Sequence, residues 1–245
     1  VAEEDVPQIP TLKSLGYKYF GLPDFGDYFV DYNFKNKTGH FNNVVAQLYF
    51  RQAMQHLEDQ AGQIEAFFGG DGDPAYGPIP VCPRSPFLPS NAATKPGTGS
   101  GECGAGIPAG IKLSFNLIYN TGTPIPQQAK DLASDAKQAD IKLSLSASNF
   151  NYMIQTYPTQ FGSLNTGGSG QIGDYSNRQA DALINQSISG SNPAAVTKEA
   201  SFFTTQLPVL WQPVPDYVWA WKSNISATRR DPKPISAVRC VREAG

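Results

Sequence analysis

The sequence predicts an α/β fold, a mixed sheet flanked by helices, and three observations carry the prediction. Ile111 to Tyr119 alternates, so that Ile111, Leu113, Phe115, Leu117 and Tyr119 share one face of a strand. An amphipathic helix follows, with Ile125, Ala129, Leu132, Ala136 and Ala139 along its stripe, and then a second strand over Ile141 to Leu145. Strand, helix and strand at this spacing form a β-α-β unit, whose strands are expected side by side, parallel, and joined by a right-handed crossover. Helices cluster between strands elsewhere too, in a chain of 245 residues, long enough to bury a sizeable core.

Each element has its own signal. Gly16 to Gly21 and Tyr28 to Phe34 combine aromatic and β-branched residues between turn signals and read as strands. Val45 to Leu57 reads as a helix with Ala46, Phe50, Ala53 and Leu57 as its stripe, which leaves Arg51 and Gln52 on a solvated or contacting flank. Asp59 suits the cap of a second helix through Ile64, Phe67 and Phe68, and Gly69-Gly70 suits its stop, because glycine takes the left-handed conformation cheaply. From Asp71 to Gly110 periodicity vanishes, so a long loop is expected. Pro124 and Pro126 fit the first turn of the crossover helix. Ser148 is expected to start a short helix with Phe150 and Met153, and 157–173 reads as loop. Ser176, with Gln179 three residues on, makes a capping box for a helix that turns Ala180, Leu183, Ile184 and Ile188 inward. Asn192-Pro193 opens the next helix, which buries Val196, Ala200, Phe203 and Leu207 and ends at Pro208. Val209 to Trp211, Tyr217 to Trp221 and Ile235 to Val241 complete the strands.

Composition narrows the function classes. Apolar residues make up 40 % and charged residues only 16 %, with a net charge of −2, so the basic face of a nucleic-acid binder is not expected. No apolar run approaches the length of a membrane span. The chain starts at Val1 without an n-region or h-region, as a processed product would. Cys82 and Cys103 bracket a stretch dense in Pro, Gly, Ser and Thr that cannot pack a core, and a disulfide closing it would remove about 3 kcal/mol of loop entropy. That pairing suits a compartment outside the cytosol. Cys240 is left over, either as a buried thiol or with a partner in chain beyond this sequence.

No enzyme motif stands out. His56 flanks the stripe of a helix and His40 sits in a turn, neither beside a nucleophile. Asp71, Asp73 and Asp174 are the loop acids best suited to a carboxylate pair for glycoside hydrolysis. Asp71-Gly72-Asp73 has no Glu at the spacing of a calcium loop, and Gly167-Gly168-Ser169-Gly170 lacks the Lys of a phosphate loop. No Cys or His pair has zinc-ligand spacing, and no metal or cofactor is implied.

Three stretches, in order, carry a resemblance. The first is Tyr32-Asn33-Phe34, then Leu48-Tyr49-Phe50-Arg51-Gln52-Ala53-Met54-Gln55-His56, Asp59-Gln60 and Tyr76-Gly77-Pro78-Ile79-Pro80. The second is Gly173-Asp174-Tyr175-Ser176-Asn177-Arg178-Gln179-Ala180-Asp181-Ala182-Leu183-Ile184. The third is Gln206-Leu207-Pro208-Val209-Leu210-Trp211-Gln212-Pro213. Together they resemble the C-terminal half of the family 5 extracellular solute-binding proteins, the peptide- and nickel-type receptors of bacterial ABC importers.

The resemblance implies a periplasmic-binding-protein-like (type II) lobe with an incomplete second lobe. Residues 1–27 would end a lobe I segment, 28–213 would form lobe II, and 214–245 would return to lobe I. It implies that the front of lobe I lies outside this chain, and that a cleft-lining segment is missing between Thr156 and Tyr157. The expected partners are a peptide or other small solute, a membrane permease and the remainder of lobe I. The expected place is the extracellular face of the membrane or the periplasm, with a lipid anchor on the full-length protein. The expected ligand-binding residues are Phe29, Tyr32, Asn33, Trp211 and Gln212: aromatic walls plus amides for peptide-like groups, with a core role the alternative for Tyr32 and Trp211. A secreted carbohydrate-active enzyme or sugar-binding domain is the other reading, and it requires two carboxylates facing one cleft.

Overall fold

A computed structural model describes residues 2–4, 9–92, 107, 110–122, 124–149, 173–189 and 193–222. The chain opens with β1 (Ala2–Glu4), α1 (Ile9–Ser14), β2 (Tyr17–Pro23) and β3 (Tyr28–Asp31). Next come α2 (Phe41–Ala46), α3 (Leu48–Leu57), α4 (Gln60–Phe68) and the two-residue β4 (Gly72–Asp73). The β-α-β unit is β5 (Ser114–Asn120), α5 (Ile125–Gln138) and β6 (Lys142–Ser148). Two helices, α6 (Arg178–Ile188) and α7 (Pro193–Gln206), precede β7 (Val209–Gln212) and β8 (Val214–Lys222).

Among the described residues the strands form three sheets. β5 and β6 are parallel, Ser114 opposite Lys142 through Asn120 opposite Ser148, as the β-α-β spacing predicts. β3 and β7 are antiparallel, with Tyr28 opposite Gln212 and Asp31 opposite Val209. β8 is the hub of the third sheet: β1, β2 and β4 all pair with it antiparallel.

Three apolar clusters hold these elements. The first packs Tyr32, Val30 and Leu210 from the β3–β7 pair against Phe50 and Met54 of α3, Phe115 of β5, and Leu132 and Ala136 of α5. The second lies against the other face of that pair, where Phe29, Val209 and Trp211 meet Ala180 and Ile184 of α6 and Phe203 of α7. The β3–β7 ribbon is thus buried on both faces, which accounts for the near-continuous apolar run of β7. The third cluster joins Ile9 of α1 and Ile64 and Phe68 of α4 to Val218 of β8.

Several local expectations need correction. The helix predicted over Val45 to Leu57 is two helices, because Gln47 adopts an extended conformation between α2 and α3. The buried face of α3 is Phe50, Arg51, Met54 and Gln55, while Ala46 is exposed and Ala53 and Leu57 are half-buried. Arg51 is therefore not on a solvated flank. The cap of α6 is Asn177, not Ser176: its side chain accepts from the Gln179 and Ala180 amides. With the start shifted by one, Ile188 reaches the helix end and is 70 % exposed. In α7 the fully buried set is Ala195, Ala200, Phe203 and Thr204, with Val196 half-buried and Leu207 buried just past the end. Leu207 closes that helix in the left-handed region, at φ 48°, ahead of Pro208. Strand β3 stops at Asp31, before Phe34, and β8 begins earlier than Tyr217.

The Asp59 cap and Gly69 stop of α4 are as expected: Asp59 Oδ1 accepts from the Gly62 amide, and Gly69 sits at φ 59°. Ser148 ends β6, and the helix expected beyond it lies outside the described residues, as does the strand at Ile235 to Val241.

Candidate functional site

The expected site residues gather where β3 and β7 lie side by side. Phe29 is opposite Trp211 in the ladder, and their rings meet edge to face with centroids 6.0 Å apart. Tyr28, one residue earlier, is opposite Gln212. Tyr32 and Asn33 follow directly on β3. Their environments differ. Trp211 is 1 % exposed and Tyr32 5 %, both set in apolar clusters, and Gln212 is buried as well. Phe29 and Asn33 keep part of their surface in solvent. Asn33 Oδ1 accepts from the Lys35 amide in a local turn. Tyr32 Oη and Trp211 Nε1 are buried polar atoms with no hydrogen-bond partner among the described residues.

Two chain segments cross here between sheets. β2 ends at Pro23, opposite Asp216, and β3 starts at Tyr28, opposite Gln212. Residues 24–27 and Pro213 therefore link the β8 sheet to the β3–β7 ribbon as two connecting segments that run in opposite directions. Asp24 braces the first crossing: it accepts from the Gly26 amide at 2.8 Å and from the Tyr28 hydroxyl at 3.2 Å. Phe25, at the tip, is 76 % exposed. Burial raises the Asp27 carboxyl, and the charge of Asp24 adds to that shift. At the far end of β3, burial alone pushes Asp31 up to about 6.

Behind β7 lies a polar cluster that sequence reasoning missed. Gln55, Glu58, Gln60 and Gln63 are all buried at the corner between α3 and α4. Gln55 Nε2 donates to the Trp211 carbonyl and the Trp211 amide donates to Gln55 Oε1, each at 2.9 Å. Gln60 Nε2 donates to the carbonyls of Trp211 and Ala75, each at 2.8 Å, and Gln60 Oε1 accepts from the Ala75 amide. Burial pushes Glu58 up to about 8, against the opposing pull of bonds from Gln63, Gln212 and Gln60. Polar residues at these spacings read as a solvated helix face, so nothing in the pattern marks them as buried.

Arg51 was also missed as a buried group. Its Nε donates to the Gln206 carbonyl at 3.0 Å and its Nη1 to the Val45 carbonyl at 2.6 Å. Those carbonyls end α7 and lie in the last turn of α2, where a cation meets the negative end of a helix dipole. The guanidinium also lies over the Phe34 ring, 5.6 Å from its centre.

The remaining candidates do not converge. Asp174 pairs with exposed Lys35 at 2.5 Å. Asp71 precedes β4 and Asp73 ends it on the β8 sheet, where the Asp71 carbonyl accepts from the Asp216 amide. His40 and His56 are exposed. No cluster of three or more His, Cys, Asp or Glu side chains suited to a metal occurs among the described residues. Cys82 is buried and disulfide-bonded. Cys103 lies outside the described residues. A shallow groove between α6 and α7, lined by Leu183, Phe202 and Lys198, includes none of the five expected residues. No described helix is long and apolar enough to cross a membrane.

Comparison with known proteins bears on the fold. No family model matches the chain. The oligopeptide-binding protein of Bacillus subtilis, solved with a nonapeptide, superposes with a TM-score of 0.67 at 18 % identity, over 97 % of this chain and 55 % of that one. The murein tripeptide-binding protein of Escherichia coli gives 0.68 at 16 % identity, over 88 % of this chain and 48 % of that one. In sequence, a Deinococcus radiodurans protein named "Probable ABC transporter-binding protein" is 32 % identical over 163 residues, 60 % of this chain and 25 % of that protein. The chain thus spans about half the length of the solved proteins it matches and a quarter of that relative. It has the type II binding-protein fold expected from its three motifs, and these similar proteins are named as binding proteins, not enzymes.

Proposed function

We propose that this chain is the C-terminal half of the substrate-binding component of an ABC importer, the kind of protein its fold is shared with. In this reading it belongs to the family 5 extracellular solute-binding proteins. The observation that carries it is the double crossing at residues 24–27 and Pro213, two adjacent chain segments that we read as a hinge. Residues 28–213 form lobe II, and the β8 sheet belongs to lobe I, whose remainder lies outside this chain. A peptide-like solute is caught between the lobes as they close about the hinge, and is passed to a membrane permease. The full-length protein works at the extracellular face of the membrane or in the periplasm, held by a lipid anchor, and catalyses no reaction.

Phe29 and Asn33, which keep exposed surface, are the direct ligand contacts in this proposal: a ring for apolar side chains and an amide for peptide groups. Tyr32, Trp211 and Gln212 are buried and hold the β3–β7 ribbon that presents them. The Cys82–Cys103 pairing ties together the stretch between them.

Titration calorimetry with a mixed peptide pool tests the reading on the full-length protein and on these 245 residues. One wall of a cleft cannot enclose a ligand, so the full-length protein should bind and the shorter chain bind weakly or not at all. Equal, tight binding by the shorter chain would refute closure between two lobes. Turnover of any substrate would refute the receptor reading.

A further inference from the structure

We propose that the Tyr28 hydroxyl and the Asp24 carboxyl form a brace across the first crossing, and that this bond positions the two lobes by favouring the arrangement in which it is made. The brace acts on the equilibrium between lobe arrangements and not on the ligand. It rests on the two-lobe reading, which supplies the motion that the brace opposes.

The unequal build of the two crossings carries the argument. Pro213 alone connects β7 to β8: Gln212 is still paired with Tyr28, and Val214 and Pro215 are already paired with β4. The Pro213 ring is fully buried and fixes φ, so this connection has little torsional freedom and serves as the pivot. The other connection is the stretch 24–27, between Pro23, which pairs with Asp216, and Tyr28, which pairs with Gln212. No residue of that stretch belongs to a strand of either sheet. A change of angle between the β8 sheet and the ribbon is therefore absorbed mainly there, as changes in φ and ψ.

The brace spans this same stretch. Asp24 follows the last residue of β2 and Tyr28 is the first residue of β3, so a rotation about any backbone bond between them alters the 3.2 Å from hydroxyl to carboxyl. A hydrogen bond is lost within a few tenths of an ångström of that separation. The carboxyl is aimed by its own turn: Asp24 Oδ1 accepts from the Gly26 amide at 2.8 Å, which leaves Oδ2 for Tyr28. Gly26 is part of the device, because a Cβ there would lie 2.8 Å from Asp24 Oδ2 and displace it. Asp24 is 7 % exposed and is not ion-paired among the described residues. Asp27, the other carboxyl of the stretch, adds a like charge and not a counter-ion. The hydroxyl therefore counts: without it, a buried acceptor loses its donor.

Pulsed electron resonance between spin labels at exposed Thr11 of α1 and exposed Lys137 of α5, in the full-length protein, reads the separation of the β8 sheet from lobe II. Without solute, Tyr28→Phe should shift or broaden the distance distribution relative to wild type. Calorimetry with the mixed peptide pool should then show an apparent affinity changed by about three- to ten-fold, through the changed share of the binding-competent arrangement. Asp24→Ala should shift the distances in the same direction. Adding Tyr28→Phe to it should change nothing further, because the bond is already gone. Identical solute-free distributions in wild type and Tyr28→Phe, or additive effects of the two substitutions, would overturn the brace. A changed affinity with unchanged solute-free distances would overturn it too, since that result marks Tyr28 as a ligand contact. The two-lobe reading has its own arm: wild-type distances that stay put when the pool is added, with no heat of binding, refute closure, and the solute-free comparison still decides the brace.

Discussion

At the scale of single residues, the groups that matter most are polar and buried. Arg51 is a cation inside the molecule, held by carbonyls of α2 and α7. Arg51→Ala strips both carbonyls of their donor and leaves a void, so it should lower stability in urea unfolding by about 3 kcal/mol. Arg51→Lys should recover only part of that, because a single ammonium cannot reproduce the planar fork that serves two directions. Asp31 gives a pH-dependent case. Its folded-state carboxyl titrates at about 6, above its ordinary 3.8, so the folded state holds the proton more tightly. Its contribution is fully present below 3.8 and is lost as pH rises through about 6. Asp31→Asn should therefore raise the neutral-pH melting temperature and flatten its decline over that window. A wild-type decline unchanged in the variant would exclude Asp31 as its source. None of these burials was legible in the sequence. Arg51, Gln55 and Glu58 occupy positions that alternate with apolar ones on α3, and charge by itself argues for solvent. Their burial comes from the end of α7 and from β7, more than a hundred residues away, packing on the side of the helix that looks polar.

At the scale of elements, local rules did better. The parallel β5–β6 pair, the Asp59 cap and the Gly69 stop depend on nearby residues, and each was readable from spacing or from one residue type. The misses at this scale were of register. Ser176 and Asn177 both suit a cap, and only the folded chain shows that Asn177 accepts the two free amides. Asn177→Ala should then cost about 1 kcal/mol in thermal or urea unfolding, and Ser176→Ala much less. The reverse order would restore the capping box at Ser176. Close approach adds a constraint of its own. Gly173 lies against the Tyr32 carbonyl and its own carbonyl accepts from the Phe34 amide, so a side chain there would push the chain off the end of β3. The five residues expected from the resemblance come together because β3 and β7 pair. Which of them keep exposed surface depended on two clusters closing over the ribbon.

For the whole molecule, composition and motif order pointed to the fold, while no single residue did. The cysteines offer a test at this scale. Cys82 is buried in a disulfide, and Cys103 lies between β4 and β5 in the sequence, outside the described residues. Non-reducing peptide mapping should recover Cys82 linked to Cys103, with Cys240 elsewhere. A Cys82–Cys240 link would instead tie the loop to the far end of the chain and revise the domain boundaries proposed here.

The ribbon buried on both faces has a consequence for how the protein reaches its native state. Its two strands lie far apart in the sequence, so Tyr28 must wait for Gln212. The β5–α5–β6 unit closes over a short stretch and can form early, whereas the ribbon pays the loop-closure entropy of nearly everything between its strands. Until β7 arrives, both clusters lack their shared wall. On a ribosome, or while crossing a membrane from the N-terminus, the chain would stay open along this seam until β7 emerged. Its apolar faces would then be exposed to chaperones and proteases while the stretch between β3 and β7 is made.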